Sequence, residues 1–238
     1  MGRARAALIV VTLVALCAPM QTRAQESVSS LNGYVTLGSG YWKHGLAHSD
    51  GPSLQLGVDY QHHTGFFAYA RALNVDYPEN FPDQTRDVEA SAYVGYHDRH
   101  ENWSWTASYG RYIYPDAAGY NYDEVSATFG FRDRVFYTAS YNDEYYARSS
   151  SALNQEMSVV FPLRGDIDVG GAIGLFDVTN GPKITHWNVG ASKLIGALAL
   201  DFRYYDGNYE WRNYLGDPYA DRYVLSASYA VRGKRPRF

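Results

Sequence analysis

Residues 87–96 read Asp87-Val88-Glu89-Ala90-Ser91-Ala92-Tyr93-Val94-Gly95-Tyr96. Apolar side chains occupy every second position, and between them stand Asp, Glu, Ser, Tyr and Gly. A period of two is the signature of a strand with one apolar and one polar face. The pattern recurs outward in both directions. Leu54, Leu56, Val58 and Tyr60 alternate with Ser53, Gln55, Gly57 and Asp59, and Trp103, Trp105, Ala107 and Tyr109 with Ser104, Thr106, Ser108 and Gly110. Val135, Tyr137, Ala139 and Tyr141, and later Tyr223, Leu225, Ala227, Tyr229 and Val231, repeat it.

About twelve such segments follow one another, near 31–42, 52–61, 66–77, 87–97, 102–114, 121–131, 135–146, 152–161, 167–177, 183–193, 198–209 and 221–231. Each is close to the roughly 9–11 residues that a tilted strand needs to cross a bilayer. Short turns at 62–65, 98–101, 132–134, 162–165 and 194–196 alternate with mostly longer connections at 43–51, 78–86, 115–120, 147–151, 178–182 and 210–220. That rhythm predicts an all-β, antiparallel up-and-down transmembrane barrel of about twelve strands, with both termini on the periplasmic side. Pro52, Pro78, Pro82, Pro115, Pro162, Pro182 and Pro218 fall in connections or at a strand's first position, where no ladder hydrogen bond is lost. Tyr41, Trp42, Tyr60, Tyr77, Tyr96, Trp103, Tyr145, Tyr146 and Trp211 stand toward segment ends, where an interfacial girdle would lie. A soluble sandwich is the competing reading, but its strands are typically only about 5–6 residues long.

The first residues carry a different signal. Arg3 and Arg5 precede an apolar stretch from Ala6 to Ala18, and Thr22-Arg23-Ala24 places small residues at a cleavage site. This predicts a signal peptide over 1–24, a mature barrel over 25–238 and insertion into the outer membrane of a Gram-negative cell by its assembly machinery. Cys17, the one cysteine, lies inside that segment and follows the bulky Leu16, which disfavours lipidation. The mature chain therefore has no disulfide, and a closed hydrogen-bonded sheet must hold it together. A net charge of -4 without a basic stripe excludes a nucleic-acid partner. Residues 232–238 read as a basic periplasmic tail.

The stretch Gly33 to Tyr77 resembles a bacterial outer-membrane family known as Gcw_chp, or TorF-type porins. The likeness is carried by Tyr34-Val35-Thr36, Ser39, Tyr41, Gly45, Pro52, Leu54-Gln55, Gly57, Tyr60, Gly65-Phe66 and Asn74-Val75. Ala92-Tyr93-Val94-Gly95-Tyr96 and Tyr114-Pro115 are similar too. The first loop departs from the family's Arg-Gly and Gln-Ser pattern, reading His44-Gly45-Leu46-Ala47-His48-Ser49. The resemblance implies a porin-like barrel and brings no catalytic residues.

On the polar phase lie Asp59, Glu89, Glu124, Glu156, Asp168 and Asp201, against Arg203 as the one clear cation. Threading the strands puts Glu89 and Glu124 near the outer mouth, Asp59 and Asp168 near the periplasmic mouth, and Glu156, Asp201 and Arg203 at mid-depth. Acidic rings favour cations. The expectation is a pore for small hydrophilic solutes with mild cation preference, its outer surface against lipid. The alternatives are a non-conducting barrel with a structural or loop-binding role, in which the charges pair and plug the lumen, or a membrane-embedded lipid hydrolase. For the last, His186 and Asn188 share a face, but no Ser stands two residues from a strand-borne His on the same side. No cofactor fingerprint or dense metal spacing is visible. His44, His48, Ser49 and Asp50 read as a solvated surface loop, and His62-His63 as a turn pair.

Overall fold

The computed structural model describes residues 29–49, 51–75, 87–145, 150–181, 183–209 and 222–232. Twelve strands close into one antiparallel barrel: β1 (Ser30–Gly38), β4 (Ser53–Gln61), β5 (Phe66–Asn74), β6 (Val88–His100), β7 (Trp103–Ile113), β8 (Tyr122–Phe131), β9 (Val135–Asn142), β10 (Ala152–Pro162), β11 (Ile167–Val178), β12 (Lys183–Ile195), β13 (Leu198–Tyr209) and β14 (Arg222–Arg232). Two further short strands, β2 (Tyr41–Lys43) and β3 (Leu46–Ser49), pair only with each other. Closure is made by β1, which pairs Val35 with Leu56 on one side and with Tyr229 on the other. The sheet has no edge, so every strand finds backbone partners on both sides, which a hydrocarbon surrounding demands.

The alternation read from the sequence is the alternation of the two faces. Leu54, Leu56 and Val58, Val88 and Val94, Tyr137 and Tyr141, Leu225 and Val231 all stand exposed on the outer wall, while Ser53, Gln55, Glu89, Ser140 and Ser226 are buried on the inner one. An outer wall so apolar would be a defect in water and is the required surface in lipid. At the short-turn rim Phe66 packs edge-on against Tyr96, Tyr96 against Trp105, and Trp103 against Phe131, which forms part of an aromatic girdle.

The first strand departs from the expectation. It was predicted to run through Trp42, but it ends at Gly38, and the chain turns inward instead of outward. Glycines at positions 38 and 40 permit this, because a Cβ on Gly38 would come 2.9 Å from both the Gly40 carbonyl and Ser53 Oγ. The β2–β3 hairpin then lies inside the barrel with every residue from Tyr41 to Ser49 buried or nearly so. Tyr41 and Trp42 are 1% and 3% exposed and belong to no girdle, and Tyr145 packs against the lumen rings Tyr122 and Phe176 rather than facing lipid. The loop predicted to be solvated is likewise an interior one: His44, His48 and Ser49 are all buried. Asp50, like Tyr77, Tyr146 and Trp211, lies outside the described residues, as do 1–28 and the tail from 233.

The hairpin turn is chemically specified. His44 and Gly45 both have positive φ, 52° and 77°, as a two-residue type I′ connection requires. Gly45 also rests on β12, where a Cβ would fall 2.5 Å from His186 Cβ. Elsewhere the boundaries shift by a few residues. β6 extends to His100, shortening the turn expected at 98–101, and Pro162 closes β10 as its last residue.

Candidate functional site

The lumen has two levels. At the long-loop end the inward hairpin reaches every side of the wall. Trp42 stacks on Tyr205 at 5.8 Å and joins Ala47 and Val224 in a small apolar cluster. His44 stacks on Phe176 at 5.3 Å, and Leu46 packs against the cluster of Ala152, Phe176, Val178 and Ile184. Lys43 passes over the Tyr112 ring at 3.6 Å and donates to the Tyr122 hydroxyl at 3.2 Å. On the remaining side, Arg71 donates to Tyr41 Oη at 3.1 Å and to Glu89 Oε1 at 2.9 Å. Glu89 Oε2 accepts from the Tyr114 hydroxyl at 2.9 Å and lies 3.4 Å from His48 Nδ1.

Glu89 and Glu124 stand near the long-loop mouth, and they do not form an open acidic ring. Glu89 is fully enclosed by Arg71, His48 and Tyr114, and Glu124 is buried beside the Tyr112 hydroxyl at 3.5 Å and within electrostatic reach of Lys43. Arg203 is therefore not the one lumen cation: Arg71 and Lys43 join it. Arg71 was legible, since it shares the inward phase of Phe67, Tyr69 and Leu73 on β5. Lys43 was not, because it was placed in a surface loop.

Beneath the hairpin the wall is polar. Arg203 donates to Asn188 Oδ1 at 2.6 Å and to Asp201 Oδ2 at 3.2 Å, so those predicted neighbours do meet. Glu156 stands apart on β10, buried, with Oε2 lacking a protein partner, as do Asp201 Oδ1, Asn154 Nδ2 and Gln55 Oε1. Asp59 accepts from Asn32 Nδ2 at 3.1 Å, and Asp168 lies at the short-turn end of β11, level with Ser192. His186 Nε2 meets Asn154 Oδ1 at 3.2 Å. Among the described residues no three His, Cys, Asp or Glu side chains converge as a metal site.

The large lumen rings lie flat on this wall. Tyr34 covers Gly57 of the neighbouring strand and Tyr93 covers Gly110, each so closely that a Cβ on the glycine would overlap the ring. Phe67 sits on Gly95 in the same way.

Two faces in strict alternation, twelve closed strands and an inward first loop are now in place, and residues 23–231 match the family described as "Bacterial protein of unknown function (Gcw_chp)". The chain belongs to this family. No curated protein matches the Gcw_chp chain. Among solved structures, one described as "KdgM porin" is similar at 11% identity and a TM-score of 0.53, over 85% of this chain and 98% of that one. A second, "KdgM porin in complex with disordered oligogalacturonate", gives 12% and 0.54 over the same shares. A third, from work on in-meso crystallization of membrane proteins, gives 10% and 0.56, over 87% of this chain and 85% of its own. At such identities the likeness is one of fold alone, a closed antiparallel β-barrel. With its apolar outer wall, the Gcw_chp chain is an outer-membrane β-barrel.

Proposed function

We propose that the chain is exported with cleavage after Ala24, and forms a narrow outer-membrane pore for small hydrophilic solutes, with the long loops outside and the β2–β3 hairpin constricting the outer mouth. The observation that carries this reading is the set of buried, lumen-facing polar atoms without protein partners: Glu156 Oε2, Asp201 Oδ1, Asn154 Nδ2 and Gln55 Oε1. A buried carboxylate oxygen or amide left unsatisfied costs on the order of 1–3 kcal/mol or more, so such groups belong to a hydrated interior. The partly exposed Tyr34, seated on Gly57, supports the same reading, because its ring is held against the wall.

Charge distribution supports a mild cation preference. At the hairpin level Glu89 and Glu124 are balanced by Arg71 and Lys43. Below it Asp59, Glu156, Asp168 and Asp201 face Arg203, and the one ion pair described among these five joins Asp201 to Arg203 at 3.2 Å. Reversal potentials of the refolded protein under a salt gradient test this. Glu156→Gln with Asp201→Asn should lower the preference for cations and Arg203→Ala should raise it, whereas unaltered potentials in conducting variants would make these charges scaffold. The close packing of the hairpin favours a second reading, a closed barrel, and a wild-type protein with no conductance would select it.

A further inference from the structure

Tyr34 on β1 and Tyr69 on β5 form a pair that the pore reading alone does not use. Their ring planes lie 7° apart with centroids 6.0 Å from each other, and their hydroxyls are in contact. That separation is too large for one ring to cover the other, so the two are laterally offset. Tyr34 lies over Gly57, against the wall, and both residues keep partial exposure. A ring backed by its own sheet and not covered by its neighbour turns one face to the passage. Behind Tyr69, with its centroid 6.1 Å away, the buried Tyr93 backs that ring.

The polar groups beside this surface are of a particular kind. On β4 the inward positions run Gln55, Gly57, Asp59, so Gln55 and Asp59 flank the place that Tyr34 covers. Gln55 is 2% exposed and its Oε1 has no protein partner. Asp59 is held by Asn32 at 3.1 Å through Oδ2. Flat aromatic faces edged by the partly exposed Asp59 carboxylate match the chemistry of a sugar ring. A pyranose presents a face of polarised C–H bonds to an aromatic π-cloud and an equatorial rim of hydroxyls that donate to carboxylate and amide oxygens. Asp59 would repel a uronate at the same place.

We propose that Tyr34 and Tyr69 form a stacking platform for a neutral oligosaccharide in transit, with Asp59 accepting its hydroxyl protons. This rests on the pore reading for transit, though not for binding, and the two fail separately. The experiment pairs bilayer recordings with calorimetric titration of the detergent-refolded full chain, using maltohexaose as probe, and a galacturonate hexamer and a polyethylene glycol of similar size as comparisons. Maltohexaose should interrupt the ionic current and bind. Tyr34→Ala and Tyr69→Ala should each weaken both by about tenfold, while Tyr34→Phe and Tyr69→Phe retain most of the effect. Heat-modifiable gel mobility confirms that each variant is folded. Unchanged affinity in folded Ala variants, no binding of maltohexaose, or equal response to the uronate or the glycol would overturn the proposal. A barrel that conducts nothing yet binds maltohexaose through these tyrosines would sink the pore reading and keep the platform.

Discussion

Arg71 and Glu89 face each other across the seam between β5 and β6 at 2.9 Å, both side chains fully removed from solvent. The pair does more than join two strands that are already hydrogen-bonded. Arg71 also reaches Tyr41 and Glu89 lies beside His48, so both strands of the inward hairpin are held by one buried charge pair. Removing one partner of such a pair leaves the other uncompensated, at about 3–5 kcal/mol. Glu89→Ala should therefore loosen the hairpin and raise the unit conductance of the pore. Tyr41→Phe, which deletes the hydrogen bond from Arg71, a charged donor, should act in the same direction by about 1.5–3 kcal/mol. Unchanged conductance in folded Glu89→Ala protein would show that the hairpin is held by its aromatic contacts alone.

Acidification should act on the same element through His44. Burial, and then the charges of Lys43, His186 and His48, hold this imidazole well below the usual histidine range. The docked hairpin thus disfavours the protonated ring, which the released hairpin accepts near its ordinary value of about 6.5. Docking is fully stable above that value and weakens as pH falls through it. His44→Phe isolates this contribution, since it keeps a ring against Phe176 and loses the titration. Conductance, or trypsin cleavage after Lys43, should rise between pH 7.5 and 5 in the wild type and rise less in His44→Phe.

Two substitutions test the assignment of faces. Leu56, half-exposed on the outer wall, should resist Arg by about 2–4 kcal/mol at the bilayer midplane. Ser108, which bonds Ser126 at 2.7 Å across the inner wall, should accept Arg far more easily. Folding yields in detergent micelles decide it. Similar losses at both sites would be incompatible with lipid outside and water within.

The export reading predicts mature protein that starts at Gln25 and fractionates with outer membranes. N-terminal sequencing of the purified protein checks this, and a start at Met1 would refute cleavage after Ala24.

Sequence alone determined the strands, their inward and outward phase and the closed barrel. A strand's two faces differ by one residue, so Val88 and Glu89 or Leu56 and Gln55 declare their sides without knowledge of any neighbour. It also placed Glu156, Asp201 and Arg203 on the lumen side, because that assignment follows from the same parity. What tertiary structure decided is where the chain goes between strands and which charges meet. The Tyr41–Ser49 segment carries tight-turn chemistry at His44-Gly45, yet nothing local distinguishes a hairpin that projects into solvent from one that folds back. The choice depends on Phe176, Tyr205, Tyr112 and Arg71, four residues on four strands that only closure of the barrel brings around it. The Arg71–Glu89 pair is decided in the same way. Parity puts both on the lumen side, but their meeting needs the register of β5 against β6, with Leu73 opposite Glu89, and a hairpin overhead to exclude water.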